Sequence, residues 1–441
     1  MMRMRSRNIV TWACIVPAIV GIQLAVAEVE APEETFDSPR LAALAKQLTG
    51  EVTRDRATIG HFWGEMQGKG PLVEPCADDP HSLWVTFLWL GDGTTQRVNV
   101  QGGPPTAESA GWMKVLGHTD LWYRTELVPD DARFVYLFQV NRPLKFSPGD
   151  DQQRPLAPPM PDPLNPHAVS SNSSLLELPQ APPQPWLQRV PGVPKGELSA
   201  HSIKSEILKQ ERTFTIHTPP NYDPKDEACR LLVLFDGDLF QHDDQIPGPV
   251  ILDNLMVGNK IHAVVTVLVN QIDREEELTC SAPYADFTAK ELIPWVQSHY
   301  NVSAEPTNTI VGGLSLGGLM AAYCGYRHPQ AFGNVLSLSG SFWWSPDISE
   351  KPAPPNIEPG WLTRQIVAAR RLPVRFYLAT GRFEHRFPVS PLAENRRFRD
   401  VLEAKGCQVK YCEFSGNHDF ISWRGPFVEG LLTLDGMQEQ K

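Results

Sequence analysis

The stretch Thr309-Ile-Val-Gly-Gly-Leu-Ser-Leu-Gly-Gly-Leu-Met320 decides the fold. Thr309-Ile-Val311 predicts a strand that runs into a glycine turn, and Gly318 to Tyr326 predicts the helix leaving it. Between them, Gly313-Leu-Ser-Leu-Gly317 has the form G-x-S-x-G. As a bare string the pattern is common; between a strand and a helix it is specific. A turn this tight leaves no room for side chains two residues either side of the serine. It lifts the Ser315 hydroxyl above a sheet edge at a helix N-terminus, with the Leu316 N–H aimed at a developing oxyanion. The competing use of the same residues is a purely structural glycine turn.

Outward from this turn, short apolar runs alternate with helical patterns. Leu231-Leu-Val-Leu-Phe235 and Ala263-Val-Val-Thr-Val-Leu-Val269 are continuous runs, as expected of strands covered on both faces. Thr213–His217, Val335–Leu338, Val374–Leu378 and Tyr411–Phe414 extend the strand set, and Phe287–Tyr300 predicts a helix. The alternation predicts an α/β fold of the α/β-hydrolase type over residues 196–441.

That fold places its partners in the chain order serine, acid, histidine. Gly416-Asn-His-Asp419 follows the last expected strand, which makes His418 the candidate general base. Gly381-Arg-Phe-Glu384 follows the strand before it, which makes Glu384 the candidate acid. Asp419 and Asp347 are alternates, and a serine–histidine dyad is a further arrangement. Phe235-Asp-Gly-Asp238 follows an early strand, so the Gly237 N–H is the second candidate oxyanion donor beside that of Leu316.

The N-terminal half reads differently. Arg3, Arg5 and Arg7 precede the mostly apolar run Ile9–Val26, and Ala25-Val-Ala27 supplies a cleavage site, so residues 1–27 predict an export signal. Residues 28–154 predict a small β-sandwich. Ser82–Trp89 and Phe134–Val140 are rich in β-branched and aromatic residues, and Gly91-Asp-Gly93 and Pro129-Asp-Asp131 mark turns. One short helix is expected before them, near Pro39–Leu48. The proline-dense residues 155–195 predict an extended linker. The net charge of -11 argues against a nucleic-acid partner, whose footprint is basic. Beyond the leader, no stretch predicts stable membrane insertion. Cys76, Cys229, Cys280, Cys324, Cys407 and Cys412 permit disulfides in an oxidising compartment, or buried thiols, and no spacing among them predicts a metal site.

The chain resembles the enterochelin (enterobactin) esterase family. The likeness rests on Phe62-Trp63, Val85–Trp89, Asp120–Tyr123 and Asp162–Pro166 in the first part. In the second part it rests on Val233–Gly237, Arg274-x-x-Glu-Leu278, Glu291–Pro294, Gly312–Gly318, Ser339–Trp344, Gly416-x-His-Asp419 and Trp423-Arg-Gly425. The resemblance implies an immunoglobulin-like first domain beside an esterase-D-like hydrolase. It also implies that Ser315 and His418 are the catalytic pair, with Glu384 at the family's G-x-x-E position. Familiar two-domain members lack an export signal; this chain resembles the periplasmic members instead.

The implied substrate is a ferric triscatecholate siderophore, a compact trianion with aromatic faces; its iron belongs to the substrate, and no cofactor is expected. Arginine suits such a ligand because it pairs with anionic oxygens and stacks on rings. Arg274, Arg382, His385 and Arg386 are therefore candidate contacts, with Trp343 and Trp344 as stacking platforms. Two rival functions are an acyl esterase acting on another phenolic or carbohydrate ester and a non-catalytic siderophore-binding protein.

Overall fold

A computed structural model describes residues 35–104, 111–141, 158–349, 358–385 and 389–436. The expected leader and Arg386 lie outside them. Among the described residues no helix is long and apolar enough to cross a membrane.

The first part opens with α1 (Pro39–Ala45) and α2 (Val52–Met66). Its strands are β1 (Leu72–Pro75), β2 (Ser82–Leu90), β3 (Val98–Gln101), β4 (Lys114–Val115), β5 (Leu121–Pro129), β6 (Arg133–Val140), β7 (Ala168–Ser170) and β8 (Ser173–Glu177). They form two four-stranded sheets, ordered β1-β2-β5-β4 and β3-β6-β8-β7. Alternate residues of a strand face opposite ways. Phe134, Tyr136 and Phe138 of β6 accordingly meet Val85 and Phe87 of β2 in one core, with the Phe87 and Tyr136 rings edge to face at 4.9 Å.

Two expectations are corrected here. α2 is a second helix where only one, near Pro39–Leu48, was expected before the strands; Glu51 caps it by accepting from the Thr53 and Arg54 N–H groups, and Ile59, Phe62 and Met66 bury one face. The segment 155–195 is not a linker throughout. Met160 bridges to Phe138, β7 and β8 complete the second sheet, and Tyr136 donates a 2.7 Å hydrogen bond to buried Asp162. Proline density did signal extended chain, but extended chain can also lie along a sheet edge.

The second part carries β9 (Glu197–Ser205), β10 (Gln210–Thr218), β11 (Arg230–Phe235), α3 (Gly248–Val257), β12 (Val264–Val269), α4 (Arg274–Leu278), α5 (Ala282–Phe287) and α6 (Ile293–His299). It continues with β13 (Thr309–Leu314), α7 (Leu316–Arg327), β14 (Asn334–Leu338), α8 (Trp361–Ala368), β15 (Arg375–Gly381), α9 (Pro391–Ala404), β16 (Gln408–Phe414) and α10 (Phe420–Asp435). The eight strands form one sheet, ordered β16-β15-β14-β13-β11-β12-β10-β9. β16 through β12 run parallel, and β10 and β9 join antiparallel.

Both faces of this sheet are covered. Leu231, Val233 and Phe235 enter one core with Leu319, Met320 and Phe398; Leu232 and Leu234 enter the other with Leu252, Phe427 and Leu431. The uninterrupted apolar runs follow from this, since neither face meets water. The cysteines among the described residues are unpaired thiols: Cys76, Cys229, Cys280 and Cys324 are buried, and Cys407 and Cys412 are half-buried.

Candidate active site

β13 ends at Leu314 and α7 starts at Leu316, so Ser315 alone makes the turn. Its backbone is forced to φ 55° and ψ −117°. A non-glycine residue holds such a conformation only when its surroundings over-determine it, at a cost of about 1–3 kcal/mol. The surroundings here are explicit. The Ser315 N–H donates to the Leu338 carbonyl at 2.8 Å, and its carbonyl accepts from the Ser341 N–H at 3.0 Å. A Cβ on Gly313 would come within 2.6 Å of the Gly317 carbonyl carbon; one on Gly317 would lie 3.0 Å from Asp236 Oδ2. The crowding expected at Gly317 therefore comes from a side chain rather than from backbone.

The candidate acid and the candidate base meet. Glu384, 2% exposed, reaches His418 Nδ1 with Oε2 at 2.7 Å. Its other oxygen accepts the Gly381 N–H at 2.8 Å and the Ser339 hydroxyl. A carboxylate can only accept, so this contact puts the proton on Nδ1 and leaves the Nε2 lone pair available as a base. The His418 ring stands edge to face on Trp423 at 4.7 Å, and the Trp423 indole N–H donates to Ser339 Oγ at 2.8 Å. Ser339 and Trp423 thus hold both members of the pair.

Ser315, Ser339, Glu384 and His418 follow β13, β14, β15 and β16, which are neighbours in that order. All four lie at the carboxyl ends of parallel strands, where open α/β sheets carry their sites. The Ser315 hydroxyl rests 3.3 Å from Ser341 Oγ and makes no hydrogen bond to His418 in this rotamer. Catalytic hydrogen bonds are commonly loose before substrate binds, and a χ1 rotation separates staggered positions of the hydroxyl.

The candidate oxyanion side lies at the loop after β11. Asp236 adopts a left-handed conformation (φ 55°), and a tight turn starts at Gly237. A Cβ on Gly237 would fall 2.4 Å from the Leu268 carbonyl carbon, so only glycine fits. Leu316 opens α7, and its N–H has no carbonyl one turn back to bind within the helix. Arg274 grips Asp236 with two hydrogen bonds, 2.7 and 2.8 Å. Burial pushes the Asp236 carboxyl above its ordinary range, and Arg274 opposes that shift.

The remaining candidates scatter. Arg274 is at the site, but its guanidinium is committed to Asp236. Arg382 is exposed, with Nη1 3.3 Å from Ser415 Oγ, and His385 is exposed. Trp343 is half-buried against the larger core. Trp344 is 8% exposed and packs edge to face on Trp361 at 6.0 Å, so it is a core residue and not a stacking platform. Asp347 is exposed in a short 3-10 turn, and it is Glu384 that meets the imidazole. Asp419 caps α10, accepting the Ser422 N–H at 2.8 Å, and is not the partner of the imidazole. Sequence reasoning gave no role to Ser339, Ser341 or Trp423, although the first two lie in a serine-rich stretch directly after β14. Among the described residues no group of His, Cys, Asp and Glu is arranged to hold a metal ion.

Comparison with known proteins identifies the family. Residues 205–434 match the family model "Putative esterase", and residues 84–187 match "Enterochelin esterase, N-terminal". An iron(III) enterobactin esterase of Escherichia coli O6:H1 is 31% identical over 348 residues, covering 73% of this chain and 81% of that protein. The crystal structure of the enterobactin esterase from Shigella flexneri in the presence of enterobactin superposes with a TM-score of 0.63 at 29% identity, covering 85% of this chain and 97% of that one. The ferric enterobactin esterase of Salmonella typhimurium gives a TM-score of 0.67 at 28% identity, with 85% and 98% covered. The protein is a carboxylic ester hydrolase with an α/β esterase fold, and the chain belongs to the enterochelin (enterobactin) esterase family.

Proposed function

We propose that this protein hydrolyses the trilactone ester bonds of ferric enterobactin-type triscatecholates, with Ser315, His418 and Glu384 as its triad. The observation that carries this reading is the 2.7 Å pair of Glu384 and His418 beside a strained Ser315 turn, in a chain similar to enterobactin esterases over most of its length. Substrate binding turns the Ser315 hydroxyl from Ser341 towards His418 Nε2. Ser315 attacks the ester carbonyl while His418 takes its proton, and Glu384 stabilises the imidazolium. The N–H groups of Leu316 and Gly237 receive the oxyanion; loss of one such donor costs about 2.7–4 kcal/mol of barrier. His418 then protonates the leaving seryl oxygen, and water, activated by the same imidazole, releases the acyl group. Cutting the lactone removes the preorganisation of the three catechols and so favours iron release.

The Arg3/Arg5/Arg7 segment, the apolar run behind it and Ala25-Val-Ala27 support export to the periplasm. We read the two sheets of the first part as an immunoglobulin-like sandwich. Arg382 and Arg386 remain proposed contacts for the anionic substrate, and Trp343 a proposed stacking platform. Mass spectrometry of products from the purified protein tests the assignment. Ferric enterobactin should yield a linear product heavier by one water. Preferential cleavage of a feruloyl or acetyl sugar would redirect the assignment to another ester.

A further inference from the structure

The two loops that deliver the acid and the base are each held by the first domain, one residue away from the catalytic side chain. Phe383 precedes Glu384, and its ring is buried in the core of the two N-terminal sheets, edge to face with Phe134 at 5.5 Å. Asp419 follows His418, and its Oδ2 accepts the Val135 N–H at 3.2 Å. Beside it the Arg133 N–H donates to the Ser415 carbonyl at 3.0 Å, and the Ser422 hydroxyl donates to the Arg133 carbonyl at 3.1 Å.

The sheet explains why this edge is available. β3 pairs with β6 only from Leu137 to Val140. Arg133 and Val135 share the edge of β6 that Leu137 and Gln139 present to β3, since alternate residues point the same way. Before Leu137 that edge has no strand, and the segment Ser415–Ser422 of the hydrolase occupies it. The loops are also tied to each other, because the Phe383 N–H donates to the Gly416 carbonyl at 3.2 Å.

We infer that the first domain is a positioning element for catalysis. Strand β6, through Phe134 on Phe383 and the Val135 N–H on Asp419, fixes the loops that set the Glu384–His418 geometry. Phe383 and Asp419 are positioning residues: neither touches the reacting atoms. This inference rests on Glu384 and His418 being the acid and base, as proposed above.

Two substitutions in the full-length protein test it. Asp419→Asn retains one oxygen to cap the Ser422 N–H but sets an amide N–H₂ against the Val135 N–H. Phe383→Leu keeps an apolar plug but loses the ring contact. Turnover of ferric enterobactin should fall roughly ten- to hundredfold in kcat in each, as expected for a misplaced catalytic group. KM should stay within about twofold, because these residues act on the pair and not on uniform binding. Hydrogen exchange at the Val135 amide verifies that the contact is cut, and fluorophosphonate titration counts competent serines so that kcat refers to folded protein. Faster exchange at Val135 with kcat within about twofold of wild type overturns the inference. Should Asp419→Asn fail to fold, Phe383→Leu carries the same reading, with Phe383→Ala expected to be more severe. Ser315→Ala, assayed alongside, separates the two claims: turnover there refutes the nucleophile and not the docking.

Discussion

Glu384 Oε2 and His418 Nδ1 stand 2.7 Å apart, although 34 residues separate them in the chain. They meet because β15 and β16 are parallel neighbours that release them at the same end of the sheet. The carboxylate is fully engaged: one oxygen on the imidazole, the other on the Gly381 N–H and the Ser339 hydroxyl. It therefore orients the ring and fixes its tautomer.

Glu384→Gln tests that role. The amide preserves shape, but it can offer an N–H₂ to Nδ1 and favour the wrong tautomer. We predict a fall in kcat of about 10²- to 10⁴-fold with KM little changed. A loss below about fivefold in steady-state kinetics contradicts the assignment of Glu384 as the triad acid.

Arg274 distinguishes a substrate contact from a scaffold contact. Arg274→Ala strands the buried Asp236 carboxylate, and we expect a stability loss of about 1–3 kcal/mol in urea unfolding. Replacing both partners, as in Asp236→Asn with Arg274→Met, should recover most of it. If Arg274→Ala instead raises KM alone and leaves stability untouched, the residue serves the anion and not the loop.

Gly313 has backbone behind it. Gly313→Ala forces a methyl against the Gly317 carbonyl carbon, and we predict a cost of about 1–3 kcal/mol together with lost turnover. Gly317→Ala meets side-chain atoms alone, the Asp236 carboxylate at 3.0 Å and the Phe235 Cβ at 3.4 Å, and should be milder in both assays. Equal behaviour of the two variants would show that the turn is not confined as described.

Asp419 links stability to pH. Burial raises its carboxyl from 3.8 to about 6, against the pull of hydrogen bonds from Ser422 and Val135 and of the neighbouring His418. Arg424 also interacts with it through charge. Between those two values the folded protein holds a proton that the unfolded chain has released, so folded stability rises as pH falls through about 6. Asp419→Asn lacks this gain. The stability of the variant relative to wild type should drop by on the order of 2 kcal/mol between about pH 7.5 and 4.5. Parallel denaturation curves at the two pH values measure it, and a constant difference contradicts the shift.

Much of this was legible in the sequence because the physics is local. Leu231–Phe235 has no polar alternation, which only a doubly covered strand explains. Gly313, Ser315 and Gly317 encode a turn through sterics alone, and the chain order of the hydrolase fold then located Glu384 and His418. What stayed hidden depends on tertiary placement. Trp343 and Trp344 are adjacent, and nothing in their spacing tells which one enters the core. Asp236 and Arg274 are far apart in the chain, so their ion pair is invisible until β11 and the start of α4 are brought together. Asp419 looked like a spare acid because its partner, Val135, lies 284 residues earlier in the chain. The prolines between 155 and 195 announced extended chain without saying that β6 would take it as a sheet partner.

The central claim is that one hydroxyl, that of Ser315, performs the ester attack. Ser315→Ala, mixed with ferric enterobactin and followed by mass spectrometry of the siderophore, tests it most directly. The account predicts intact cyclic ligand after many wild-type turnover times, with binding retained by fluorescence quenching. Appearance of the linear, water-added product at a rate near that of wild type would contradict it.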